Sequence, residues 1–173
     1  MNNEVTTERE DFDMLNQPKM GTGLNVVTIL TMIGSVIQFI SSIWAFANAR
    51  KSYEETPKMI EQMSGEDVPE IAKTMMGDPD QLMEMVTKSY ENRLPILILG
   101  VIASILCFYG ALQMRKLKKQ GYTIYMIGEV LPFITAVAFI GMVAFSGVGM
   151  WISVAIALIF IIIYTVMRKK LIY

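Results

Sequence analysis

The stretch GYTIYMIGEVLPFITAVAFIGMVAF, residues 121–145, decides how the rest of this chain is interpreted. It is 25 residues long, and at a rise of about 1.5 Å per residue a helix of that length exceeds the ~30 Å hydrocarbon layer of a bilayer. We therefore expect a membrane-spanning helix with a modest tilt or an interfacial turn. Glu129 lies within it and is the only acidic residue inside any long apolar run of the chain.

The same pattern recurs in three other places. The chain is 53% hydrophobic and only 18% charged, and its charges gather between long apolar intervals. Runs of this length are typical of membrane proteins rather than of soluble domains. The sequence predicts an all-α integral membrane four-helix bundle with spans at 23–48, 93–114, 121–145 and 150–167.

The remaining segments connect or flank these spans. Residues 1–22 are predicted to be a flexible acidic tail with no cleavable signal, because no short apolar region follows the first methionine. Residues 115–120 form a basic turn, residues 146–149 a tight outer turn, and residues 168–173 a basic C-terminal tail. Residues 49–92 are the only sizeable polar segment.

Residues 49–92 are predicted to form a small helical cap outside the membrane. Helix starts are indicated at Thr56-Pro57, at 67–70 and at Asp78-Pro79, where a capping side chain precedes a proline in the first turn. Helices this short are unstable alone, so they must pack on each other, on the membrane surface, on the span ends or on a partner. The cap carries six methionines, Met59, Met63, Met75, Met76, Met83 and Met85. Their thioethers suit adaptable packing, and Cu(I) binding is the alternative.

The surroundings of Glu129 indicate a polar site inside the membrane. Pro132 lacks an N–H group, so the carbonyl of Gly128 loses its partner and a kink is expected, while Gly128 itself allows another helix to approach. Counting residues from the predicted inner ends of the spans places Tyr109 and Thr31 at the depth of Glu129. We predict a polar cluster of Glu129, Tyr109 and Thr31. Interhelical hydrogen bonding is one interpretation, and a proton, ion or ligand site is the other.

Two helix faces are expected to turn away from lipid, one toward protein or water and the other toward another span. The first is a polar stripe on span one, at Thr28, Thr31, Ser35, Gln38 and Ser42, whose spacing of three and four residues places it on one face. It serves either helix adhesion or a permeation path. The second is a face of small residues on span two, suited to tight packing. Its members are Gly100, Ala103, Ser104, Cys107, Gly110 and Ala111.

The basic residues predict the orientation in the membrane. With both termini in the cytoplasm, nine Lys and Arg residues lie on the inner side and six on the outer side. The positive-inside rule favours this arrangement. Its main determinants are Arg115, Lys116, Lys118, Lys119, Arg168, Lys169 and Lys170. The same side chains could also bind anionic lipid headgroups.

Several classes of function are not indicated by the composition. The chain has no histidine and one cysteine, Cys107, so imidazole metal sites and a paired-cysteine redox centre are excluded within one chain. We therefore expect no metal site and no cofactor. We also expect no nucleic-acid partner, because the basic residues lie at the ends of the spans rather than in an exposed stripe. No nucleophile–base pair or phosphate-binding loop is apparent, so the chain is not expected to be an enzyme.

The junction KLKKQGYTIYMIGE, residues 116–129, joins a basic turn directly to a helix that begins with glycine and an aromatic residue. It resembles small four-span bacterial inner-membrane proteins. The resemblance implies a bacterial cytoplasmic (inner) membrane location and brings no known activity. The sequence differs from small multidrug transporters, whose membrane glutamate lies in the first span.

Two functions are consistent with these patterns. The first is a non-enzymatic membrane protein that acts through protein contacts, as an accessory or assembly subunit that binds an unknown protein partner through the 49–92 cap. The second is a small ion-coupled transporter or carrier, working as a homo-oligomer, that uses Glu129.

Overall fold

The computed structural model describes residues 21–63 and 78–171, and every regular element in these ranges is helical. The five α-helices are α1 (Thr22–Met63), α2 (Pro79–Glu91), α3 (Arg93–Arg115), α4 (Lys119–Phe139) and α5 (Val148–Met167). Two short 3-10 turns follow α4 and α5, at Met142–Phe145 and Arg168–Lys170. The expected tail before residue 21 and the cap helix at 67–70 lie outside the described residues.

Four of these helices, α1, α3, α4 and α5, are long and apolar enough to cross a membrane. Their outward faces are covered with large aliphatic side chains; Ile37 on α1 and Ile162 on α5, for example, are 58% and 60% exposed. An apolar surface of this extent suits lipid rather than water. The all-helical fold and the four apolar helices agree with the fold class predicted from the sequence.

Helices α3 and α4 form a tight antiparallel pair through small residues. A Cβ atom placed on Gly128 would lie 2.8 Å from the backbone nitrogen of Cys107, and one on Gly110 would lie 2.7 Å from that of Tyr125. Ala103 and Ala111 are fully buried in the same interface. Close backbone approach of this kind is how helices gain packing energy in a membrane, where no hydrophobic force drives them together.

Helix α1 packs against α3, and the contact uses the polar stripe. Thr28, Thr31 and Ser35 are buried, and a Cβ atom on Gly100 would lie 2.8 Å from the Ser42 hydroxyl oxygen. Helix α5 is held more loosely, since Ala157 and Tyr164 are its only buried residues. The most fully packed part of the described core lies at one end of the bundle, where Leu24, Met114, Leu117 and Leu171 meet.

The third span ends earlier than predicted. Helix α4 stops at Phe139, and Gly141 follows with φ 87° and ψ −170°, a backbone conformation open essentially only to glycine. The predicted span of 121–145 therefore divides into a helix and the Met142–Phe145 turn, and α5 begins at Val148 rather than at 150. Hydropathy could not reveal this boundary because residues 140–145 are as apolar as the helix they follow.

The first helix is longer than predicted, and the helix start expected at Thr56-Pro57 is wrong. Helix α1 continues past residue 48 and through Pro57 to Met63. Its polar part is supported by the i,i+4 pair Arg50–Glu54 at 2.7 Å, and the Thr56 hydroxyl donates to the Ser52 carbonyl at 2.6 Å. Proline removes one N–H from a helix and crowds the preceding turn, but Glu54, Glu55, Lys58 and Met59 around it are good helix formers.

Helix α2 folds back onto this extension of α1. Its start follows the sequence signal, since Asp78 is the N-cap and accepts a hydrogen bond from the Asp80 amide at 3.0 Å. The rings of Tyr53 and Tyr90 stack at 5.0 Å, and the Asn92 amide donates to the Phe139 carbonyl at 3.1 Å. These contacts fix α2 against the extension of α1, next to the start of α3 and the end of α4.

Candidate functional site: an intramembrane carboxyl and an adjacent cavity

Glu129 is half-buried on α4 and faces α3. The thiol of Cys107 donates to its Oε2 atom at 3.7 Å, across the place where Gly128 brings the two helices together. The Tyr125 side chain, one helical turn earlier on α4, lies close enough to this carboxyl to interact with it electrostatically. The carboxyl therefore interacts with side chains of two helices in a region where water is scarce.

A second pair of polar side chains continues this arrangement toward α5 and α1. The rings of Tyr125 and Tyr164 lie 4.7 Å apart, inclined at 56°, and both side chains are 1% exposed. The hydroxyl groups of Tyr164 and Thr31 are hydrogen-bonded at 2.7 Å. All four apolar helices thus contribute to one group of five side chains, which we call the carboxyl cluster: Cys107, Glu129, Tyr125, Tyr164 and Thr31.

The predicted cluster of Glu129, Tyr109 and Thr31 needs correction at Tyr109. This side chain is 48% exposed, and its hydroxyl accepts a hydrogen bond from the Gln113 amide at 2.5 Å, so it is not a partner of Glu129. Tyr109 lies two residues after Cys107, which at about 100° per residue places it on the far side of α3. Thr31 belongs to the carboxyl cluster but reaches Glu129 only through Tyr164 and Tyr125.

Three members of the carboxyl cluster were not singled out as partners of Glu129 from the sequence. Tyr125 had a usable signal, because a residue four positions before Glu129 shares its helix face. Cys107 had a weaker one, since it belongs to the small-residue face of α3. Tyr164 had none, because its contact depends on how α5 is placed.

Most of the polar stripe on α1 is satisfied by the helix itself. Thr28 donates to the Leu24 carbonyl at 2.9 Å, Ser35 to the Thr31 carbonyl at 2.7 Å, and Ser42 to the Gln38 carbonyl at 2.9 Å. Thr28 and Ser35 lie in the helix contact, whereas Gln38 and Ser42 line a cavity. The stripe faces protein, as its periodicity predicts.

The cavity has a volume of about 480 Å³ and lies between α1, α2, α3 and α4. Pro132 is part of its wall, and α4 continues through this proline without a break. Its lining is mainly apolar, and Arg93 is the one charged residue in it within the ranges 21–63 and 78–171. A volume of this size is typical of small-molecule sites.

The basic segments meet at the other end of the bundle. Leu117, which lies within the basic segment 115–119, and Leu171, which follows the basic segment 168–170, are buried in the same core cluster. The Arg168 guanidinium lies 5.3 Å from the centre of the Tyr122 ring. Arg115, Lys116, Lys118, Lys119 and Lys169 are exposed there. Within the described part of the chain, no group of three His, Cys, Asp or Glu side chains is placed to hold a metal ion.

A scan of protein-family models, a search of curated proteins and a search of solved structures found no match to this chain.

Proposed function

We propose that this chain is a non-enzymatic integral membrane protein that acts through protein contacts, as an accessory or assembly subunit. The proposal rests on one observation, the helical projection formed by residues 49–63 of α1 and by α2. Helix α1 has 42 residues, which correspond to about 63 Å at ~1.5 Å per residue, roughly twice the ~30 Å hydrocarbon thickness. A large part of it therefore stands outside the bilayer.

The projection is ordered by its own contacts and presents exposed groups. The Tyr53–Tyr90 stack joins its two helices, and the pairs Arg50–Glu54 and Lys88–Glu84 lie on its surface. Met59 is 43% exposed among these charges. An acidic surface with exposed methionine suits a partner that offers basic and apolar side chains. In the proposed orientation the projection lies outside a bacterial inner membrane and both termini lie in the cytoplasm.

Photo-crosslinking in native membranes tests this function. A photoreactive residue at Met59 or Glu61 should give one dominant protein adduct, whereas the same residue at Ile162, which faces outward from α5, should capture lipid or nothing. Exchanging Glu54 and Glu55 for lysine should weaken the adduct. If Met59 and Glu61 capture no more protein than Ile162 does, the subunit function is excluded.

A small ion-coupled carrier is the second candidate, and the carboxyl cluster favours it. Glu129 interacts with side chains of two helices, and the cavity wall at Pro132 lies less than one turn further along α4. A carboxyl that exchanges its proton or binds a cation beside a cavity could couple ion movement to a change in helix packing. Such a carrier would act as a homo-oligomer.

Glu129→Gln separates this candidate from a purely structural carboxyl. In reconstituted vesicles, the carrier requires that the substitution abolish pH-dependent flux while the unfolding midpoint in detergent changes little. A structural hydrogen bond requires the reverse, a lower midpoint and no flux in either protein. Cys107→Ala is the matched variant, since it removes a donor and keeps the carboxyl.

A further inference from the structure

The 480 Å³ cavity combines an apolar lining with a single cation, and the position of that cation matters. Arg93 begins α3, at the junction with α2, where the chain enters the apolar layer. Its guanidinium lies 4.5 Å from the centre of the Tyr90 ring, and it belongs to none of the three ion pairs among the described residues. Among the residues that the structure describes, none of those lining the cavity is acidic.

The depth of the cavity follows from the register of α1 and α3. Gly100 faces Ser42, Arg93 lies seven residues before Gly100, and Gln38 lies four residues before Ser42. Because the two helices are antiparallel, Arg93 lies on the outer side of the Gly100–Ser42 contact and Gln38 lies on its inner side. The depth of the cavity from Arg93 to Gln38 is therefore the sum of the two offsets, about 16 Å at ~1.5 Å per residue. That depth is about half of the ~30 Å hydrocarbon layer, the length available to an acyl chain in one leaflet.

Three hydroxyl groups in the lining are already hydrogen-bonded within the protein. The hydroxyls of Ser42, Ser89 and Thr135 donate to carbonyls of their own helices. The walls between them consist of apolar groups, contributed by Ala45, Phe46, Ile96, Leu97, Ala136 and Ile140. Helix α2 covers the outer end with Val86 and Tyr90. The cavity is thus charged at its outer end and mainly apolar along its length, with Gln38, Ser41 and Ser52 as further polar lining residues.

We propose that the cavity binds a single-chain fatty acid, with its carboxylate on Arg93 and its acyl chain directed toward Pro132. The guanidinium presents a planar pair of donors that matches a carboxylate, and one cation balances one negative charge. The acyl chain gains little by leaving the bilayer, because lipid tails are as apolar as the cavity wall. Selectivity must therefore come from the contact between Arg93 and the carboxylate. The proposal does not depend on either function proposed above.

The test is binding of radiolabelled palmitate, at alkaline pH, to the full chain in nanodiscs of zwitterionic lipid. We expect saturable binding that unlabelled palmitate displaces, while hexadecanol and hexadecyltrimethylammonium compete at least about tenfold less well, since a charge-assisted hydrogen bond is lost. This headgroup series uses the unaltered protein, so it remains decisive if a variant fails to fold. Equal competition by hexadecanol, or the absence of saturable binding, would overturn the proposal.

Substitutions then assign the site. Arg93→Gln should weaken palmitate binding about tenfold or more, and Arg93→Lys should weaken it less. Arg115→Gln is the matched control, because it removes the same charge from the other end of α3 and should leave binding unchanged. Ala136→Phe should fill the cavity and remove binding. Equal effects of Arg93→Gln and Arg115→Gln would contradict the site, and full displacement of palmitate by phosphatidylglycerol would identify a phospholipid as the occupant instead.

Discussion

At the scale of single residues, this structure is governed by where polar atoms find partners away from water. Thr31 and Tyr164 satisfy each other across α1 and α5 at 2.7 Å, and Cys107 donates to Glu129 across α3 and α4. Interhelical hydrogen bonds of this kind contribute modestly in membranes, on the order of 0.6–2 kcal/mol each. They nevertheless select one helix arrangement, because a slipped helix would leave these groups unpaired.

The pair Thr31–Tyr164 provides a direct measurement of this effect. Thr31→Val and Tyr164→Phe should each lower the free energy of unfolding by about 1 kcal/mol, and the double variant should lose less than the sum of the two. Unfolding by denaturing detergent, followed by circular dichroism, gives these values. Strict additivity would mean that the two hydroxyls do not interact. Tyr122→Phe, which removes the hydroxyl bonded to Thr165 at the surface, is the control.

At the scale of elements, the α3–α4 pair depends on the absence of side chains. Gly110, Gly121 and Gly128 each face backbone atoms of the partner helix at a distance that leaves no room for a Cβ. The backbones of α3 and α4 therefore lie in close contact, and this contact brings Cys107 next to Glu129.

Gly128→Ala should separate α3 from α4 and lower the free energy of unfolding by about 1–3 kcal/mol, the usual cost of overpacking. Gly34→Ala is the matched control. A Cβ at this position in α1 meets nothing within 4 Å, so the change should be neutral or should stabilise the helix by up to about 1 kcal/mol. Thermal unfolding in a mild detergent compares the two. A Gly128→Ala protein as stable as the Gly34→Ala protein would show that the helices are not in close contact.

The end of α4 allows a similar comparison. Gly141→Ala should lower the free energy of unfolding by about 1–3 kcal/mol, because φ is 87° there and an alanine would be strained. Gly147→Ala should have little effect, since its φ is −86° and a Cβ there meets nothing within 4 Å. The same thermal measurement distinguishes them, and equal losses would mean that Gly141 has a different backbone conformation.

At the scale of the whole molecule, the two ends of the bundle differ in packing and charge. The end with Leu117 and Leu171 is tightly packed and basic, whereas the end with α2 contains the cavity and bears the helical projection. In the proposed orientation, the basic end would meet anionic headgroups on the cytoplasmic side and the other end would face outward.

Cysteine labelling in intact cells tests the orientation. In a Cys107→Ala background, Lys116→Cys and Lys169→Cys should react with a membrane-impermeant maleimide only after the membrane is opened, and Lys58→Cys should react before. The expectation follows from the positive-inside count. Labelling of Lys116→Cys and Lys58→Cys from the same side would contradict the four-span topology, and a reversed pattern would place the projection in the cytoplasm.

The sequence by itself determined the four apolar helices, the small-residue face of α3, the inward direction of the polar stripe and the capped start of α2. Each of these follows from the order of residues along one element, through hydropathy, helix periodicity or capping chemistry. The tertiary structure alone decided that Tyr125, Cys107 and Tyr164 rather than Tyr109 form the carboxyl cluster, that α1 runs through Pro57, and that a cavity lies beside Arg93. Residue counting fixes depth in the bilayer but not rotation about a helix axis, and rotation is set by contacts between residues far apart in the chain.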